Sequence, residues 1–462
     1  QMQSEIISTN PGRNFEEIGR VRSSTPAEID SAVVAARRAA PEWGRMTIED
    51  RCVCVDRYRE LLEDHAGEVA ELQSKEMGKP IRQSRQELRS AVRFLKNQTE
   101  KVEKLLAPRL LDSYPTHRTE VHYEPWGVAA VIVPWNFPTS QFVANASPVL
   151  LAGNAVLFKH SEECVLTSHL LASLMEKAGF PEGVFRSLHG DGSVGQALLE
   201  RDIDFIHFTG SSAVGKEIYK KAAEKFVPVT LEMGGSSPAI VTEAVDLKKT
   251  ARSVFYERFK NCGQICCALK RLYVQETVVD DLVQELAAIA EDQVVGDPLE
   301  ERTTLGPLAA SRQLDQLEDQ LRRATQAGAS IVAGGRRPPG LQGAYLLPTI
   351  VTGTTNDSPL IQEEVFGPVL PVMPFQTVDQ ALELANDSPY GLSAFVYSEE
   401  EATAKKLVRE LKAGQVSVNG ASYFSNHAPF GGYKESGIGR VRGDEGLFEA
   451  TQMKVVGRPV RR

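Results

Sequence analysis

From residue 154 the chain alternates short apolar runs with amphipathic ones. NAVLFKH (154–160), GVFRSLHG (183–190), DFIHFTG (204–210) and PVTLEMGG (228–235) read as strands, and 165–178, 193–200 and 212–225 between them read as helices. Strand, helix, strand in this order predicts parallel β with crossover helices, a Rossmann-like nucleotide-binding sheet. Upstream, Thr25-Pro26-Ala27-Glu28 is a capping-box pattern with Pro at the first helical position. Helical apolar spacing runs over 30–40 and 55–73, and a long charged helix is expected at 81–106. RTEVHYEPWGVAAVIVPW (118–135) alternates and then runs apolar, which predicts two strands. Further on come a strand at 271–275, a helix at 277–292, more α/β alternation to about 420, a Gly-rich loop at 430–439 and a short C-terminal strand, TQMKVVG. There is no internal repeat and no low-complexity linker, so a domain boundary here is a crossover of the chain and not a tether.

Composition narrows the classes. A chain of 462 residues has room for two or three domains, and 42% hydrophobic with 24% charged residues is that of an ordinary soluble globular protein. Asp plus Glu, 61, exceeds Lys plus Arg, 52, for a net charge of −9 without a long basic run, which argues against nucleic acid as a partner. The apolar run GVAAVIV (127–133) is far too short to span a bilayer, so no membrane segment is expected. The opening QMQSEIISTNPGRN has neither a basic nor an apolar targeting region, so no signal peptide is expected. Six cysteines are sparse, and the expectation is free thiols in a reducing, cytoplasmic compartment.

Three of those cysteines, Cys262, Cys266 and Cys267, fall within six positions of NCGQICCALKR (261–271). No His stands nearer than His207, Cys52 and Cys54 have one residue between them, and Cys164 stands alone, so no metal site is expected. A disulfide between adjacent cysteines would be strained. Core filler and nucleophile both remain open on these residues alone. Two glycine loops also compete. GDGSVG (190–195) fits GxGxxG after a strand. FTGSSAVG (208–215) lacks the full fingerprint, but its helix N-terminus and the Ser211 and Ser212 hydroxyls suit a pyrophosphate.

Seven stretches then converge: VPWNFP (133–138), LAGNAVLFK (151–159), FTGSSAVG (208–215), LEMGG (231–235), GQICCALKR (263–271), EEVFGPV (363–369) and PFGGYKESGIGR (429–440). Ordered along almost the whole chain, they resemble the aldehyde dehydrogenase superfamily, and within it the short branch that includes many bacterial succinate-semialdehyde dehydrogenases. The resemblance implies an α/β fold in three parts. These are a Rossmann-like NAD-binding domain (1–106 and 126–234), an α/β catalytic domain (235–445), and a β-hairpin oligomerisation arm (107–125 with 446–462). It also implies a homodimer or homotetramer.

The same resemblance assigns roles. Cys266 is the nucleophile that adds to an aldehyde as a thiolate. The Asn136 amide and the Cys266 backbone N–H are donors to the oxygen as it gains charge. Glu232 is the general base that activates water against the thioester, and its presence argues against a CoA-acylating relative. For the cofactor the implied residues are Trp135, Lys159, Glu162, Gly210, Ser211, Gly215, Glu364 and Phe366, with FTGSSAVG as the pyrophosphate loop and GDGSVG structural or near the adenine. The Glu162 carboxylate would accept from ribose hydroxyls and repel a 2′-phosphate, so NAD is expected, with NADP secondary. Two departures stand out: Ser236 and Asn145 occupy positions that are often Lys in the family, so a proton-relay role for the second lysine does not carry over. Ala144, ten residues after Pro134, stands where succinate-semialdehyde enzymes commonly place a carboxylate-binding Arg; Lys260 is the candidate substitute. With Phe137, Gln141, Ile265, Cys267 and Phe424 as the other pocket positions, the expected substrate is an uncharged aromatic or aliphatic aldehyde. The competing readings are a succinate-semialdehyde dehydrogenase and a non-catalytic structural or binding protein on the same fold.

Overall fold

The apolar runs of 154–235, with Val128–Val133 before them, become neighbours in a six-stranded sheet ordered Gly437–Ile438, Val229–Glu232, Phe205–Thr209, Val128–Val133, Ala155–His160, Phe185–Leu188. All neighbours are parallel except Gly437–Ile438, which runs antiparallel to Val229–Glu232. The computed structural model describes residues 4–425 and 427–460. Residues 1–3, at the start of the segment read for a targeting signal, and 461–462, at the end of the expected arm, lie outside the described residues. The helices Pro138–Leu151, Val165–Lys177, Gly192–Leu199 and Ser212–Lys225 are the crossovers.

The winding reverses at Val128–Val133. The chain first moves to Ala155–His160 and Phe185–Leu188, then returns to the opposite side with Phe205–Thr209. Such a reversal leaves a crevice outside the carboxyl ends of the strands, where open α/β sheets bind ligands. The residues leaving those ends are Trp135 and Asn136, Glu162, Gly210 and Ser211, and Glu232.

A second sheet holds the remainder, ordered Ser330–Ala333, Thr349–Thr352, Val369–Phe375, Leu269–Gln275, Ser237–Val241, Ser393–Tyr397, Gln415–Val418. The chain passes from one sheet to the other across Met233–Ser236, between Val229–Glu232 and Ser237–Val241. Separate apolar cores lie under the two sheets, one around Phe142 and Phe158, the other around Phe259 and Leu269.

The N-terminal helices depart from the expectation in detail. The capping box at Thr25 forms and starts the helix Pro26–Arg45. The span 55–73 is broken at His65, which ends Ile48–Asp64 and begins Ala66–Met77. A hairpin of Glu5–Asn10 and Glu16–Arg22, not anticipated from the pattern, packs ahead of them. The Gly-rich segment 430–439 is not simply a loop: Tyr433–Lys434 pairs with Tyr390–Gly391, and Gly437–Ile438 edges the first sheet. Glycine-rich composition hid both, because two-residue pairings have no period to read.

Two helix starts are completed from a distance. Pro138–Leu151 and Val165–Lys177 have no side-chain cap of their own. Glu87, on the helix Ile81–Leu106, accepts from Ser140 N at 2.9 Å. Glu76 accepts from Leu166 N at 2.7 Å and Thr167 N at 2.8 Å. Both carboxylates are buried, and the free N–H groups and positive dipole end of each helix offset part of their desolvation. Lys79 pairs with Glu87 and lies 3.8 Å from the Phe137 ring centroid. The N-terminal helices thus hold the two loops that carry Asn136 and Glu162.

Arg109–Ser113, His117–Pro125 and Thr451–Pro459 form a separate three-stranded antiparallel sheet. Among the described residues no helix is long and apolar enough to cross a membrane.

Candidate active site

Glu232 is the last residue of its strand, where the chain leaves the first sheet. It is 3% exposed, and neither carboxylate oxygen has a hydrogen-bond partner. Burial pushes its pKa well above the ordinary value of 4.5; Arg440 opposes the shift, and the Cys267 and Glu449 charges add to it. Gly234 follows, and a Cβ there would overlap the Glu364 carboxylate, so only glycine lets that side chain approach the crossing.

Cys266 precedes the strand Leu269–Gln275 in the second sheet, beside the crossing. The turn leading to it is left-handed at three successive residues, Asn261 (φ 52°), Cys262 (φ 55°) and Gly263 (φ 73°). Two non-glycine residues in that region store strain of about 1–3 kcal/mol each. A Cβ on Gly263 would collide with the Gly367 carbonyl. The turn is fixed to the first sheet: Asn136 Nδ2 donates to Gln264 O at 3.1 Å, and Asn261 Nδ2 donates to Asn136 O at 2.9 Å. Gln264 is two residues from Cys266, so Asn136 is bonded to the turn that leads to the candidate nucleophile. Asn136 is 3% exposed.

The six cysteines are free thiols, and Cys266 is the half-buried member of its cluster. The adjacent Cys267 thiol and burial hold Cys266 well above the ordinary thiol value, with Lys270 opposing and the Glu232 charge reinforcing. The hydrogen bond from Cys266 holds Cys267 below its ordinary value, and Tyr423 acts in the same direction. The pair therefore keeps a proton on Cys266 at rest, and Glu232 is the nearby base without a partner. Among the described residues no group of three or more His, Cys, Asp or Glu is placed to hold a metal ion.

Lys270, which the sequence reading missed, is fully buried and joins these parts. Its Nζ donates to Gly235 O at 2.6 Å, Cys266 O at 3.0 Å and Glu364 Oε1 at 2.5 Å. The signal for it was present, since ALKRLYV places two charges inside an apolar strand. Glu364 also accepts from Gly235 N at 3.2 Å. Its loop is held from behind by Arg258, a buried cation that donates to Val369 O at 2.8 Å, Val365 O at 3.0 Å and Gly367 O. Phe366 meets Trp135 edge-on, centroids 5.7 Å apart.

Lys159, Glu162, Gly210 and Ser211, four of the cofactor candidates, lie at or just beyond the carboxyl ends of their strands. Lys159 Nζ is 3.6 Å from Glu162 Oε2. Gly210 leaves one strand end, and Ser211 caps the helix Ser212–Lys225, accepting from Val214 N at 3.4 Å. A Cβ on Gly215 would strike Met233, so that helix lies close to the crossing. A helix N-terminus, a lysine–carboxylate pair and a facing carboxylate at a topological switch point have the chemistry a dinucleotide needs.

The substrate candidates separate. Ile265 and Cys267 pack together with Cys266, Tyr423, Phe430, Leu392 and Val441. Phe424 is 52% exposed and stacks on Phe430 with centroids 5.6 Å apart, one ring outside that group. Gln141 is turned along its own helix, its Oε1 accepting from Asn145 Nδ2 at 2.7 Å. Lys260 lies over Tyr256. Ala144 lines a small cavity of about 10 Å³ with Asn145, His207, Arg442 and Glu449. Arg442 puts a cation at the edge of a pocket expected to be neutral. A larger cavity of about 390 Å³, bordered by Glu28, Phe180 and Arg186, contains none of the candidate residues.

A protein-family model described as "Aldehyde dehydrogenase family" matches residues 1–456. The chain is 36% identical over 467 residues to an aldehyde dehydrogenase of Davidiella tassiana, covering 98% of this chain and 94% of that protein. It is 37% identical over 450 residues to the mitochondrial benzaldehyde dehydrogenase of Antirrhinum majus, covering 96% and 84%. Among solved structures, an NAD-dependent aldehyde dehydrogenase from Sinorhizobium meliloti superposes with a TM-score of 0.95 at 34% identity, covering 99% of this chain and 92% of that one. An NAD+ complex of aldehyde dehydrogenase from Bacillus cereus superposes with a TM-score of 0.94 at 32% identity, covering 98% and 93%.

Proposed function

Because the chain belongs to the aldehyde dehydrogenase family, we propose that it oxidises an aldehyde to a carboxylic acid with NAD, through a thiohemiacetal and then a thioester on Cys266. The observation that supports this reading is that Asn136 is bonded to the turn two residues before Cys266, with the Glu232 charge acting on that thiol. Cys266 Sγ adds to the carbonyl carbon while its proton passes to the buried Glu232 carboxylate. Asn136 donates to the oxygen as it gains charge, a neutral donor that does not trap a full ion pair. Bound NAD would supply the hydride acceptor, held by Trp135, Lys159, Glu162, Gly210, Ser211, Gly215, Glu364 and Phe366. Glu232, relieved of the first proton to solvent, takes a proton from the water that adds to the thioester, and the acid leaves as the Cys266 thiol is restored.

Phe137, Ile265, Cys267 and Phe424 support a substrate whose body is an aromatic ring or aliphatic chain. The benzaldehyde dehydrogenase of Antirrhinum majus is in keeping with that. Succinate semialdehyde is the second reading, favoured by the Arg442 cation beside Ala144. Incubating the protein with benzaldehyde, butanal or succinate semialdehyde should yield NADH and acid in equal amounts, with kcat/KM about tenfold or more higher with NAD than with NADP, because Glu162 repels a 2′-phosphate. Absence of reduced cofactor with every aldehyde would defeat the reading.

The arm supports a homodimer or homotetramer. Met453 and Val455, two apart on one strand face, are 72% and 64% exposed, with Leu110, Leu111 and Tyr114 exposed nearby. Light scattering should return the mass of two or four chains, and Met453→Glu with Val455→Glu should lower it; a single-chain mass for the unmodified protein contradicts this. The free thiols fit a reducing compartment, the cytoplasm.

A further inference from the structure

Arg442 is an arginine without a carboxylate. It is half-buried, yet no ion pair or hydrogen bond engages its guanidinium among the described residues; its contact is the Phe94 ring, 5.4 Å from guanidinium carbon to centroid. A partly desolvated guanidinium left in this state is costly, and the backbone adds to the cost, since Arg442 sits at φ 59°. Its neighbour Gly443 is left-handed as well, at φ 57°. Strain and an unpaired cation at one residue suggest selection for something other than stability.

Its position says what that is. Arg442 follows Val441, which packs in the group containing Cys266, Cys267 and Ile265. The Cys267, Cys266 and Glu87 charges act on the guanidinium, and with Val441 it borders the same cavity as Ala144. Glu87 is already committed to Lys79, Gln73 and Ser140. Arg442 shares a cavity of about 10 Å³ with Ala144. A larger side chain at 144 would compete for that space; alanine leaves it to Arg442.

We propose that Arg442 is a specificity-determining residue that binds a carboxylate at the end of the aldehyde remote from Cys266. This rests on the reading of Cys266 as the aldehyde's nucleophile. The substrate class is then an aldehyde with an apolar body and an anionic far end, recognised by the two-pronged donor geometry that arginine offers carboxylates.

The test compares pairs with the same aldehyde body, with and without a carboxylate at the far end: 4-carboxybenzaldehyde with benzaldehyde and succinate semialdehyde with butanal. The unmodified protein should show the higher kcat/KM for the carboxylated member of each pair. Arg442→Met should lower the ratio of carboxylated to neutral kcat/KM by about 30-fold or more, in the range of a charge-assisted bond, and Arg442→Lys should recover part of it. A ratio unchanged in Arg442→Met, or a preference of the unmodified protein for the neutral members, overturns the proposal. A readout that needs no variant is the alkylation of Cys266 by iodoacetamide without NAD. Terephthalate should slow it at lower concentration than benzoate, and equal protection by the two counts against the proposal. NADH from benzaldehyde without a carboxylate preference sinks the Arg442 assignment alone. No NADH from any aldehyde sinks the parent reading with it.

Discussion

Cys266→Ala is expected to abolish aldehyde-dependent NADH formation, with a fall of about four orders of magnitude or more, because the covalent route disappears and not merely one contact. The adjacent Cys267 makes the prediction sharp. It is the thiol held below its ordinary value, so acidity alone would nominate it as the nucleophile. Exposure nominates the other: Cys267 is buried against Leu392, Phe430 and Val441, whereas Cys266 is half-buried, two residues from the Gln264 carbonyl that Asn136 engages. A nucleophile has to reach the carbonyl carbon before its pKa matters. Cys267→Ala should therefore reduce turnover by about tenfold at most, through repacking of the wall. Stopped-flow NADH absorbance should show neither burst nor steady rate in Cys266→Ala, while isothermal titration still shows NAD bound. The reverse pattern, with Cys267→Ala inactive and Cys266→Ala active, would transfer the role to the neighbour.

The cofactor sheet was legible because each strand announced itself as an apolar run between polar breaks. Expected and observed elements differ there by a few residues at the ends, as with 183–190 against Phe185–Leu188. The capping box at Thr25 was equally local and formed as read. What escaped was non-local. Glu76 and Glu87 look like ordinary helix-surface charges, and only the fold turns them into caps for helices that begin about fifty to ninety residues later. The break at His65 and the two short pairings near Tyr433 and Gly437 are imposed by packing against other elements, with no periodicity of their own. For the site, the family blocks marked Cys266, Asn136 and Glu232, each carried on a different segment. They contain Lys270 without showing that its ammonium is buried against Glu364 and two carbonyls, and they stop short of Arg442, whose lack of a carboxylate partner is visible only in the folded chain.

Glu232→Gln is expected to separate the two halves of the reaction. The amide cannot accept a proton from water, whereas the Cys266 proton can still leave to solvent, so the thioester should form more slowly and then persist: a slowed first phase approaching one NADH per site, followed by a steady rate lower by about a thousandfold, within the range general-base catalysis contributes. Mass spectrometry of the quenched protein should find the acyl group on Cys266. A Gln variant that turns over at the original rate would remove Glu232 from the mechanism. Stability gives an independent check of sign. Burial raises the Glu232 pKa well above the ordinary 4.5, so between that value and the raised one the folded state holds more protons than the unfolded state. Stability then falls as pH rises through this window. Gln carries no charge to bury, so Glu232→Gln should melt at or above the temperature of the unmodified protein at neutral and alkaline pH, and close to it below pH 4. Lost turnover in a protein that is no less stable cannot be assigned to unfolding. The same raised carboxyl predicts that the thioester-hydrolysis rate of the unmodified protein climbs with pH above the usual carboxylate range, because only the ionised form accepts the proton. A hydrolysis rate flat from pH 5 to 9 would contradict the assignment of Glu232 as the base.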